Sequence, residues 1–118
     1  MANVTDIVDG DIKADKIIGN AVALSFGRAA VTMTDANKTL SSSEYDQLII
    51  EMSGTLTAPR DVTLPLTDGA PKFVVNKTGQ TLTFKGASGT GVAVATVKGA
   101  WIYSDGTNWY RMSADVTL

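Results

Sequence analysis

Few residues in this chain have chemistry to offer. Asp6, Asp9, Asp11 and Asp15 crowd its first stretch, and such a set of carboxylates could gather around calcium, which wants several oxygen ligands. The spacing does not match the EF-hand calcium loop and no glutamate closes the set, so the better reading is solvated acidic residues on an extended segment. Glu44, Asp46 and Glu51 lie close enough in sequence for paired-carboxylate hydrolysis. If one strand covers both, Asp46 and Glu51 have opposite parity and face opposite sides of a sheet, which favours strand-end charges. Gly86-Ala-Ser-Gly-Thr-Gly91 superficially suggests a phosphate cradle. It lacks a Gly-Lys-Ser/Thr tail and a following helix, and reads as a connection between strands. The chain has no histidine and no cysteine, which removes the commonest general base, the commonest zinc ligand and every disulfide. No catalytic residue, metal ligand or cofactor-binding residue is assigned.

The aromatic residues concentrate in residues 99–112, Gly-Ala-Trp-Ile-Tyr-Ser-Asp-Gly-Thr-Asn-Trp-Tyr-Arg-Met, which hold both tryptophans and two of the three tyrosines. Two short aromatic runs around Asp105-Gly106 predict a β-hairpin. A two-residue turn pairs Trp101 with Tyr110, and a four-residue loop pairs Tyr103 with Tyr110 and Trp101 with Met112. The registers differ by two, so Trp101, Tyr103, Tyr110 and Met112 share one face in either case. That face is expected to anchor the core or a trimer interface, and a sugar-stacking platform is the less favoured use.

Positioning these residues requires a β framework. Val31 and Met33 alternate, Leu48 to Met52 forms an apolar run, and Val62 and Leu64 flank Thr63. Residues 72–75 and 80–85 continue the pattern, with Leu82 and Phe84 set against Thr81, Thr83 and Lys85. Ser41 and Glu44 fit a capping box that supports no more than one helical turn. Turns recur at Asp35, Asp68-Gly69 and Thr78-Gly79. Nine or ten short strands with no crossover helix predict an all-β fold, a single-domain β-sandwich, jelly-roll-like, occupying residues 28–118. Residues 1–16 keep neither a helical nor a strand period, residues 17–26 could form a strand broken by Gly19, and residues 1–27 together read as an extended N-terminal arm. Its Ile7, Val8, Ile12, Ile17 and Ile18 are unsuited to a free tail and predict that the arm lies on something.

Charge and composition exclude further classes. The chain of 118 residues carries a net charge of −2 and has no basic cluster, which argues against nucleic acid as a partner. No apolar run approaches the roughly 20 residues of a membrane span. The start lacks the basic and apolar regions of a secretory signal, so assembly in the cytoplasm is expected. For the same reason Asn37-Lys-Thr39 and Asn76-Lys-Thr78, which match glycosylation acceptors, read as turns.

Several stretches together resemble a β-rich module of tailed-bacteriophage structural proteins. They are Lys38-Thr-Leu-Ser-Ser-Ser-Glu-Tyr-Asp-Gln47, Ile50-Glu-Met-Ser-Gly-Thr-Leu-Thr-Ala58, Val62-Thr-Leu-Pro65, Val74-Val-Asn-Lys-Thr-Gly-Gln-Thr-Leu-Thr-Phe84, Gly89-Thr-Gly-Val92 and Asp105-Gly-Thr-Asn108. The resemblance implies a virion component, met both as a capsid decoration (cement) protein and as a module in tail fibres. An initiator-like methionine, one domain and no repeats look more like a small decoration protein. The same resemblance implies a non-enzymatic homotrimer on the capsid surface, with the major capsid protein as partner and an N-terminal arm reaching across a neighbouring capsomer; the apolar residues of the arm, Ile7, Val8, Ile12, Ile17 and Ile18, are its expected anchors. The alternative is a receptor-binding or tail-fibre module that recognises host surface glycans.

Overall fold

The computed structural model describes residues 25–118; the arm positions Ile7, Val8, Ile12, Ile17 and Ile18 lie outside the described residues. The strands are β1 (Ser25–Thr32), β2 (Lys38–Thr39), β3 (Gln47–Ser53), β4 (Arg60–Thr63) and β5 (Lys72–Asn76). They continue with β6 (Leu82–Lys85), β7 (Val92–Val94), β8 (Lys98–Ser104), β9 (Trp109–Arg111) and β10 (Val116–Thr117). One helical turn, α1 (Ser42–Tyr45), stands between β2 and β3, started by the expected capping box: Ser41 accepts from the Glu44 N–H and Glu44 accepts from the Ser41 N–H. The first strand begins at Ser25, three residues inside the stretch assigned to the arm.

The domain is an all-β stack of two sheets. One sheet runs β1-β3-β5-β8, with β9 and β10 both on the far side of β8; the other runs β2-β4-β6-β7. The chain alternates between them from β1 to β6, so sequential strands face each other and every second strand pairs. The ladders β1–β3, β3–β5, β2–β4 and β4–β6 are parallel. A parallel pair needs a connection of a dozen or more residues, and here the strand of the opposite sheet supplies it in place of a helix. The jelly-roll detail therefore finds no counterpart in these pairings, which wind like a short solenoid. Antiparallel strands close one end: β7 on β6, and β8 on β5.

Strand alternation fills the space between the sheets. Ile50, Met52, Val74, Ala100, Ile102 and Trp109 point inward from the first sheet, and Val62, Leu64, Leu82, Phe84 and Val94 meet them from the second. The one fully buried amide among the described residues, Asn76, ties the two sheets together. Its Nδ2 donates to the carbonyls of Gln80 (2.8 Å) and Val94 (2.9 Å), and its Oδ1 accepts from the N–H and hydroxyl of Thr78. All four hydrogen-bonding positions of the side chain are used, as burial of an amide requires.

Asp35 fastens successive turns of the winding. It sits between β1 and β2 and accepts from the Thr57 hydroxyl at 2.6 Å, the Thr57 N–H at 3.0 Å and the Arg60 guanidinium at 2.8 Å. These bonds, the Thr57 hydroxyl foremost, hold its carboxyl down at about 2.

Candidate functional site

The hairpin forms with the four-residue loop: Tyr103 pairs with Tyr110, and the Met112 N–H donates to the Trp101 carbonyl at 2.8 Å. Asp105 sets this loop. Its Oδ1 accepts from the N–H groups of Thr107 and Asn108, both at 2.9 Å, and the bond from Asn108 foremost keeps its carboxyl below the usual range. Residues 86–91 are fastened to the hairpin. Asn108 Oδ1 accepts from the Thr90 N–H at 2.7 Å, and a Cβ on Gly89 (φ +83°) would lie 2.2 Å from that same oxygen. A glycine is required there both for its backbone conformation and for this close approach.

Trp101, Tyr103, Tyr110 and Met112 share one face, and it is the outer one. They are 38%, 36%, 37% and 49% exposed, while Ile102 and Trp109 of the opposite parity are buried. Of the two alternatives expected for this face, core or trimer interface, the core is thus excluded. The hairpin carries aromatics on both faces, so its own sequence does not say which side meets the second sheet.

Strand registration extends the outer face across the sheet. Arg28, Ile49, Phe73 and Trp101 fall in one row over β1, β3, β5 and β8. The Phe73 and Trp101 rings meet edge to face at 5.2 Å, and the Tyr103 and Tyr110 rings lie 5.6 Å apart. Phe73 folds over Gly99, where an added Cβ would come within 2.8 Å of its ring. On β3, Glu51 bridges Arg28 and Lys77, and the Lys77 ammonium at 2.9 Å is the main cause of its lowered pKa. These charged groups of the face are therefore already paired.

A second feature is a hollow of about 340 Å³ between α1, the start of β1 and the loop before β5, lined in part by Phe26, Tyr45, Leu48, Pro71 and Lys72. Lys72 is buried, donates to the Tyr45 and Gln47 carbonyls, and sits 4.3 Å from the Tyr45 ring centroid. Burial lowers its pKa, against a smaller opposing pull from Asp46. Sequence reasoning passed over Lys72, because an isolated lysine at the start of a strand carries no signal of burial. The Tyr45 and Trp109 rings touch edge to face at 6.4 Å, and the buried Tyr45 hydroxyl and Trp109 Nε1 lack hydrogen-bond partners of normal geometry. Thr67 stands beside the Tyr45 hydroxyl without closing such a bond.

The acidic residues weighed for hydrolysis are committed elsewhere: Glu44 to the α1 cap and Lys38, Glu51 to its ion pairs. Asp46 ends α1 rather than extending β3. Among the described residues, no three acidic side chains converge as a metal site would require. The arrangement offers apolar and aromatic contact area, concentrated on the outer face of β8 and β9. The chain matches no protein-family model, no curated protein and no solved structure.

Proposed function

We propose that this chain is a non-enzymatic structural protein of a tailed-bacteriophage virion. In this reading it is a capsid decoration protein that trimerises on the head and clamps neighbouring major-capsid subunits. One observation carries the reading. Of the eight large hydrophobic side chains exposed among the described residues, seven lie within residues 97–118, on β8 to β10 and the residues that flank them: Val97, Trp101, Tyr103, Tyr110, Met112, Val116 and Leu118. Exposed apolar side chains gathered on one part of a small domain mark an interaction surface, and aromatic and methionine side chains are enriched in protein interfaces. The paired charges around it leave little unsatisfied when a partner covers the face. The phage-like stretches supply the class of partner, and residues 1–24 with their isoleucines supply a second contact. Clamping adds buried interface across capsomer junctions, so expansion or internal pressure must break more contacts.

The experiment is addition of the protein to virions that lack it. A raised rupture temperature is expected. No change in rupture temperature, with binding to host cells instead, overturns the reading in favour of the alternative, a tail-fibre or receptor-binding module for host surface glycans. The exposed rings of Trp101, Tyr103 and Tyr110 favour that second reading, since exposed rings can stack on the apolar faces of sugars.

A further inference from the structure

The second sheet ends at β7, which among the described residues pairs only with β6. Two main-chain groups along its far edge are nonetheless bonded. Arg111 Nη2 donates to the Ala93 carbonyl, and the Ala95 N–H, just past the end of β7, donates to Asp115 Oδ2 at 3.4 Å. The two side chains are joined to each other, Arg111 Nη1 to Asp115 Oδ1 at 2.7 Å. A carbonyl and an N–H two residues apart on one side of a strand are the groups that an added strand would bond. Arg111 and Asp115 thus supply one donor and one acceptor where a further strand would supply the same.

The connection that carries this pair does likewise for the first sheet. Between β9 and β10 the Trp101 carbonyl accepts from the Met112 N–H, and the Trp101 N–H donates to Ser113 Oγ at 2.9 Å. Arg111 lies opposite Ile102 and shares its inward parity, which carries its side chain across to the second sheet. Residues 111–115 therefore occupy an edge of both sheets and close one side of the sandwich.

The Arg111 and Asp115 side chains are 34% and 26% exposed, and an ion pair so open to solvent adds little to stability. Its effect lies in what it blocks. An unfilled edge is a template for a strand of another chain, and an identical edge is carried by every other copy of the protein. We propose that Arg111 and Asp115 form a latch that fills the β7 edge with side chains and keeps a second copy of this chain from pairing there. Assembly is thereby directed to other surfaces, such as the outer face of β8 and β9. The proposal goes beyond the function proposed above and does not depend on a capsid as partner.

The test compares the full chain with its Asp115→Ala and Arg111→Ser variants at equal concentrations, without any capsid, by sedimentation velocity. Both variants are expected to keep the circular dichroism of the unaltered chain and to form a larger species than it does. In that species the Ala95 amide should exchange about tenfold slower or more, because a strand carbonyl replaces a long bond to a carboxylate. Proline obstructs pairing at a strand edge, so adding Ala93→Pro to either variant is expected to restore the original size. An unchanged size in both variants, or a larger species that Ala93→Pro leaves intact, overturns the proposal. Loss of the folded signal in both variants also overturns it, since the pair would then hold the fold together rather than guard its edge.

Discussion

Phe73 and Trp101 meet edge to face across β5 and β8, ring centroids 5.2 Å apart, on the side of the sheet that the core does not occupy. One residue further along β8, Ile102 is fully buried. Adjacent residues of a single strand therefore divide the work between contact surface and core.

Substitution should separate the two roles. Trp101→Ser is expected to cost less than about 1.5 kcal/mol of folding stability, because the ring is already partly exposed and loses mainly one aromatic contact. Ile102→Ser should cost about 3 kcal/mol or more through a cavity and a buried hydroxyl. Urea denaturation measures both. The decoration reading further expects Trp101→Ser to weaken self-association or head binding while the domain stays folded.

The carboxyl of Asp35 ties stability to acid. Its folded value of about 2 lies below the ordinary 3.8, so its contribution is complete above about pH 4 and is lost as pH falls through about 2. Asp35→Asn should flatten the fall in stability over that window and leave the profile above pH 5 unchanged in shape. Denaturation midpoints collected from pH 6 to pH 2 read this directly. Glu51, held below its ordinary value by Lys77 and Arg28, contributes in the same direction.

Asn76 is the buried polar link between the sheets. Asn76→Ala takes the side-chain partner from the Thr78 N–H and the Val94 carbonyl, while the Gln80 carbonyl keeps the Thr78 hydroxyl. A loss of about 2–4 kcal/mol is expected, measured as a lower denaturant midpoint. Asn76→Asp should cost at least as much at pH 7, because a carboxylate cannot donate to either carbonyl.

Val97, between β7 and β8, has φ +57°, a conformation disfavoured for a β-branched residue, and its side chain is 52% exposed. Its main chain is held on both sides, the N–H donating to the Asn76 carbonyl and the carbonyl accepting from the Leu118 N–H. Val97→Asn should relieve the strain and stabilise the domain by about 1 kcal/mol, seen as a higher Tm.

The sequence by itself determined the local structure. Apolar runs and alternation located β3 to β6, Ser41 and Glu44 announced α1, and the parity of residues 101–112 put Trp101, Tyr103, Tyr110 and Met112 on one face. These are properties of neighbouring residues, and short-range sterics and hydrogen bonds settle them. Only the tertiary structure decided which strands pair and which face lies inside. Parallel partners such as Ala29, Ile50 and Val74 are more than twenty residues apart, and little in the sequence marks the pitch until the pairs are seen. The hairpin has Trp109 on one face and Trp101 on the other, so either could have filled a core. The second sheet covers the side that carries Ala100, Ile102 and Trp109, and that leaves the aromatic row of Phe73 and Trp101 facing outward.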